Sequence, residues 1–108
     1  MNKITDLEVA QKLINLNNRA KSKNLPFDLS IKRVRQLLLR KTCYFTGVKF
    51  SLIKAHDNYR TIDRINPKEG YVDKNTVACT KRINLLKANL TIEEIKCLVK
   101  GITKHLDK

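Results

Sequence analysis

The segment TIDRINPKEGYVDKNTVACTKRINLLK, residues 61–87, constrains the chain more than any other part of it. Two short runs rich in β-branched residues, RTIDRI (60–65) and NTVACT (75–80), are separated by Pro67 and Gly70. Pro and Gly at that spacing mark a turn, so the two runs read as paired strands. A helix then runs from about Thr80 to Ala88, directly off the second strand. Strand, turn, strand and helix in fewer than thirty residues leave room only for a small unit with the helix laid across the strands.

The flanking sequence is helical. TDLE at Thr5–Glu8 has the spacing of a capping box, and Val9, Ala10, Leu13 and Ile14 then recur at helical spacing. Pro26 interrupts that pattern. Ser30 opens a second helix, with Ile31, Val34, Leu37 and Leu38 on one face. CYFTGVKFSL reads as a short hairpin about Thr46-Gly47. TIEE at Thr91–Glu94 is a second capping box, and Ile92, Ile95, Leu98, Val99 and Ile102 carry a last helix to about His105. The expected fold class is α+β, in one domain. Its parts are a helical lead-in (1–42), a ββα core (43–90) and a C-terminal helix (91–108).

Charge narrows the partners. Lys and Arg number 23 against 10 Asp and Glu, a formal net charge of +13 in 108 residues. Such an excess favours a polyanion, and nucleic acid is the expected partner, taken as double-stranded DNA on the resemblance described below. No basic amphipathic helix with a large aromatic face favours a membrane surface. No apolar run reaches the roughly 18 to 20 residues of a membrane span, and the N-terminus lacks a signal-peptide core. The expected location is cytoplasmic. Cys43, Cys79 and Cys97 are an odd number and form no Cys-x-x-Cys pair, so neither a disulfide framework nor a structural zinc is expected.

Chemistry concentrates at Asp63, Asn75 and Asn84. Folding the helix across the strands can bring Asp63 beside Asn84. A carboxylate and an amide oxygen are hard ligands suited to Mg²⁺ or Mn²⁺. Asn75 reads as a brace that bonds backbone across the connection. Lys81, Arg82 and Lys87, on or next to the same helix as Asn84, are candidate phosphate contacts.

CYFTG, TIDRINPKEGY, the Asn75-TVAC run and RINLLK together resemble the HNH endonucleases with the ββα-metal fold, especially small members encoded by bacteriophages. The lead-in NNRAKSKNLPFDLS is also similar to theirs. The resemblance covers residues 17–100 or so. It implies a divalent-metal-dependent DNA endonuclease in which Asp63 and Asn84 hold the metal, Asn75 orients the general base, and Lys87 contacts a phosphate. Arg64 departs from the pattern. The family places a histidine directly after the aspartate to activate water, and a guanidinium cannot accept a proton near neutral pH. Arg64 is therefore a clamp for the scissile phosphate, or the mark of a chain that keeps the fold and binds DNA or a host protein without cutting, or an ion-pair partner of Asp63. His56, in the polar loop seven residues before Asp63, is the candidate substitute base. His105, Asp57, Asp73 and Tyr71 read as structural or solvated residues.

Overall fold

The computed structural model describes residues 4–106. Helix α1 (Asp6–Ser22) is followed by a two-residue strand β1 (Phe27–Asp28) and helix α2 (Ile31–Leu39). Strand β2 (Arg60–Arg64), strand β3 (Tyr71–Val72), a 3₁₀ turn (Asp73–Asn75), strand β4 (Thr76–Thr80) and helix α3 (Lys81–Lys87) come next, and helix α4 (Ile92–Leu106) ends the described chain. The mixture of helices with two small sheets is the expected α+β class.

The helix starts are set by the side chains read as caps. Thr5 Oγ1 accepts from the Glu8 backbone N–H at 3.1 Å, and Ser30 Oγ accepts from that of Arg33 at 3.0 Å. At α4 the box is reciprocal: Glu94 N–H donates to Thr91 Oγ1, and Thr91 N–H donates to Glu94 Oε1. Each bond satisfies a helix-end N–H that lacks an intrahelical acceptor. The buried stripes lie slightly off the expected ones. In α1 the buried residues are Val9, Leu16 and Ala20, while Ala10 and Ile14 face solvent; in α2 Val34, Leu37 and Leu38 are buried and Ile31 is exposed.

Strands β2 and β4 pair antiparallel, with Ile62 opposite Ala78, Asp63 opposite Val77 and Arg64 opposite Thr76. Ile62 and Ala78 join Val9, Leu16, Val34 and Leu37 in a core shared with α1 and α2. Arg33 ties α2 to β4, donating from a terminal guanidinium nitrogen to the Thr76 carbonyl at 2.6 Å. The expected hairpin about Gly47 is a tight turn with one bridge, Thr42 to Lys49, in place of two full strands. Its Gly47 has φ of +75°, a conformation that disfavours a side chain.

The β2–β4 connection holds a pairing that the sequence reading lacks. β1 and β3 lie parallel, Phe27 opposite Tyr71 and Asp28 opposite Val72. Tyr71 N–H donates to the Pro26 carbonyl at 2.9 Å. The chain passes so closely there that a Cβ on Gly70 would lie 2.2 Å from the Pro26 oxygen, so glycine at 70 is a packing requirement.

Candidate metal site and basic surface

Strand β2 and helix α3 run side by side in a defined register. Lys81 N–H, at the start of α3, donates to the Tyr59 carbonyl just before β2 at 2.8 Å. One turn on, Asn84 Nδ2 donates to Thr61 Oγ1 at 3.1 Å. A further turn on, Lys87 Nζ lies 3.0 Å from Asp63 Oδ2 and donates to the Arg64 carbonyl at 2.8 Å. The spacing explains this match: residues 61 and 63 share one face of a strand, and residues 81, 84 and 87 share one face of a helix.

Asp63 and Asn84 both lie along the seam between β2 and α3, each with a partner of its own, and are not hydrogen-bonded to each other. Asp63 is paired one turn beyond Asn84, with Lys87. The Asp63 and Lys87 side chains retain only 11% and 4% of their exposure, so this is a largely buried ion pair. Asp63 Oδ2 is the buried oxygen of the carboxylate, and the Lys87 ammonium is its partner. Asn84 donates its amide N–H to Thr61, and among the described residues no hydrogen bond engages its Oδ1.

A carboxylate and an amide oxygen are hard donors. Among the described residues no group of three or more His, Cys, Asp and Glu side chains converges on a point. Asp63 with Asn84 would thus be a two-ligand site, with waters and a phosphate completing the shell. Magnesium tolerates such a site because it keeps most of its water. Lys87 differs from its expected role as a phosphate contact. Its ammonium is buried against Asp63 and the Arg64 carbonyl, because position 87 falls on the inner face of α3.

Asn75 is placed as a brace. It is 5% exposed. Its Oδ1 accepts from Asn66 N–H at 3.0 Å, and its Nδ2 donates to the Asn66 and Gly70 carbonyls at 3.1 and 2.9 Å. The Asn75 carbonyl accepts from Ile65 N–H at 2.8 Å. One side chain thus closes the turn that follows Arg64.

Arg64 turns into that same connection. Its guanidinium donates to the Pro67 carbonyl and, at 3.4 Å, to the Glu69 carbonyl, and it stands 5.2 Å from the centre of the Tyr71 ring. The ion pair of Arg64 with Asp63 does not form, since neighbours along a strand point to opposite faces and Asp63 is occupied by Lys87. His56 is exposed in the loop before β2. Its Nδ1 accepts from Asn58 N–H at 3.0 Å, and no hydrogen bond joins it to Asp63, Arg64 or Asn84. That loop is docked on the start of α3 by Arg82 N–H donating to the Asp57 carbonyl. Arg82 is exposed and Lys81 half-buried there. Cys43 and Cys79 are buried free thiols, and burial pushes the Cys79 thiol up to about 12.

Asp73, read from the sequence as solvated, has a partner. Its two oxygens accept from the Ser30 backbone N–H at 2.9 Å and the Ser30 hydroxyl at 2.8 Å, which holds its carboxyl below the usual range. It fastens the start of α2 to the turn before β4. The two residues are 43 apart in sequence, and no local pattern signals the bond.

No family model matches the chain. It is 35% identical over 81 residues to the uncharacterized protein R423 of Acanthamoeba polyphaga mimivirus, covering 75% of this chain and 14% of that protein. It is 23% identical over 88 residues to an uncharacterized 29.0 kDa protein from the dda-modA intergenic region of Enterobacteria phage T4, covering 82% of this chain and 35% of that one. The chain thus spans about a third or less of the curated relatives it matches. Among solved structures, the rare-cutting HNH restriction endonuclease PacI superposes with a TM-score of 0.65, over 96% of this chain and 89% of that chain, at 17% identity. The fold is HNH-like. The likeness extends over nearly the whole chain, so the helical lead-in and the C-terminal helix share it with the β2–β4–α3 unit. No helix among the described residues is long and apolar enough to cross a membrane.

Proposed function

We propose that this chain is a DNA-binding HNH-type endonuclease that hydrolyses phosphodiesters with a divalent ion, Mg²⁺ or Mn²⁺. The observation that carries this reading is the placement, in a fold that superposes on an HNH restriction endonuclease, of the Asp63 carboxylate, ion-paired with Lys87, along the same strand–helix seam as Asn84, whose Oδ1 accepts no hydrogen bond among the described residues. Asp63 and Asn84 would hold the ion. Bound there, it would supply Lewis-acid polarisation of the phosphodiester and charge for the leaving oxygen. Lys87 balances the Asp63 carboxylate and fixes it toward α3. Asn75 holds the turn that carries Arg64. In this reading Arg64 exchanges the Pro67 and Glu69 carbonyls for phosphate oxygens when the substrate binds. Lys81 and Arg82, at the first turn of α3, receive neighbouring phosphates of double-stranded DNA. With a guanidinium at position 64, the proton of the attacking water goes to another acceptor, for which His56 is the candidate.

A second reading has its own support. Arg64 is committed to turn carbonyls, and an ammonium already sits on Asp63. Both fit a chain that keeps the fold and binds DNA or a host protein without cutting. Incubation with supercoiled plasmid and Mg²⁺ or Mn²⁺, against an EDTA control, separates the two. Metal-dependent nicking or linearisation supports the endonuclease. Salt-dependent DNA binding with no cleavage supports the second reading.

A further inference from the structure

Away from the Asp63–Lys87 pair, a cavity of about 220 Å³ opens between α1 and β2. β4 occupies one edge of β2, and among the described residues no strand pairs with the other. Lys12 and Arg60 line the cavity together with the amides of Gln11 and Asn15. Both cations are half-buried, and neither makes a hydrogen bond or salt bridge among the described residues. Burial pulls the Lys12 ammonium below its ordinary range, and the like charges of Arg19, Arg60 and Lys54 pull it further. Burial acts on Arg60 in the same direction, opposed by Tyr59 and Glu8. Glu8 also lines the cavity, but it is exposed and accepts from the Thr5 hydroxyl at 3.3 Å.

Two like charges drawn partly out of water and facing one cavity are unfavourable unless an anion joins them. Their setting indicates which anion. The cavity lies across β2 from α3: Thr61, whose hydroxyl accepts the Asn84 amide, also lines it, so a single strand separates it from the candidate site. A larger cavity of about 530 Å³ shares Glu8, Tyr59 and Arg60 and adds Arg40, Lys41 and Lys49. Cations from α1 (Lys12), β2 (Arg60), the end of α2 (Arg40) and the turn that follows it (Lys41, Lys49) thus gather around two adjoining cavities.

The geometry points to a second phosphate subsite, in which Lys12 and Arg60 hold a phosphodiester of the bound strand outside the one cleaved, with Gln11 and Asn15 donating to its oxygens. The inference rests on the DNA-binding reading above. It extends the nucleic-acid contact from α3 to α1, which the sequence reading did not assign to the site.

The test is duplex-DNA affinity by fluorescence anisotropy across a salt series, for the parent, Lys12→Gln, Lys12→Met, Arg60→Gln and Lys104→Gln. Lys104→Gln removes one charge from the exposed end of α4. Each Lys12 or Arg60 variant should weaken binding about five- to tenfold at fixed salt and lower the log–log salt slope by about 1. Lys104→Gln should change affinity less than twofold. Lys12→Met keeps the aliphatic stem, so a folding defect confined to Lys12→Gln would leave it as the informative variant. If the parent binds DNA and the Lys12 and Arg60 variants match Lys104→Gln, the subsite is wrong and the DNA reading stands. If the parent shows no salt-dependent binding, the DNA reading itself fails. Inorganic phosphate, followed through the Gln11 and Asn15 side-chain amides by NMR, separates the sources of the anion. Competition between phosphate and DNA supports the subsite; saturation by phosphate with DNA affinity unchanged overturns it.

Discussion

The β2–β4–α3 unit and helix α4 carry equally clear sequence signals and are held in opposite ways. In the first, every residue of β4 is buried, and polar side chains inside the unit bind its parts: Asn84 to Thr61, Lys87 to Asp63, Asn75 to the 66–70 turn. In α4 no residue is buried, and Leu98, Val99, Ile102 and Leu106 face solvent despite a reciprocal capping box. Apolar periodicity and a cap dictate that a helix forms and where it begins. They do not dictate what it packs on. Buried polar groups do, because each demands a partner of matching geometry.

The largest effect that would sharpen this contrast is at Lys87. Lys87→Met leaves Asp63 without its cation and the Arg64 carbonyl without its donor. The expected loss is roughly 3 to 5 kcal/mol in chemical denaturation, the scale of breaking one side of a buried pair. The double variant Asp63→Asn with Lys87→Met should recover part of it. A loss under about 1 kcal/mol would show Lys87 to be an ordinary surface charge. Asn75→Ala comes next. It strands Asn66 N–H and the Asn66 and Gly70 carbonyls, and should lower stability by about 2 to 3 kcal/mol. Stability within about 0.5 kcal/mol of the parent would remove Asn75 as the brace of the turn.

Acid should reveal a smaller effect at Asp73. Its carboxyl is held below its ordinary range by the Ser30 N–H and hydroxyl, so its contribution is present above the unfolded-state value and is lost as pH falls through the lower folded value. Asp73→Asn should therefore narrow the stability difference between pH 6 and pH 2. An unchanged pH profile would contradict the Asp73–Ser30 bond. The smallest effect belongs to α4. Val99→Ala, in a side chain left 57% exposed, should change stability by less than about 0.5 kcal/mol. A core-sized loss would mean that α4 is covered in solution and would erase the contrast.

The elements themselves were legible from local chemistry: caps at Thr5, Ser30 and Thr91, β-branched runs at 60–65 and 75–80, a turn between Pro67 and Gly70. Asn75 was legible as a brace because a lone Asn beside a turn has few other uses. Lys87 was harder. A lysine in the last turn of a helix ordinarily reads as a solvated charge, and its burial follows only from the α3–β2 register. The signal was available in principle: residues 84 and 87 recur at helical spacing where 61 and 63 recur at strand spacing. The bond between Asp73 and Ser30 and the pairing of β1 with β3 left no such trace. The partners are distant in sequence, and two-residue strands are too short to show alternation. The register also corrects one expectation about Asp63. The resemblance implies a metal ligand, and a ligand exposed on the surface could be replaced without loss of folding; paired with a buried Lys87, Asp63 cannot. A variant that tests its chemistry must keep an acceptor for that ammonium.

Asp63→Asn is that variant, and Mn²⁺ titration followed by electron paramagnetic resonance is the most direct test of the candidate metal site. The parent should bind one ion. Asp63→Asn and Asn84→Ala, each verified as folded, should weaken that binding by tenfold or more. A parent that binds no Mn²⁺, or variants that bind it as the parent does, would contradict the assignment of Asp63 and Asn84 as the metal ligands.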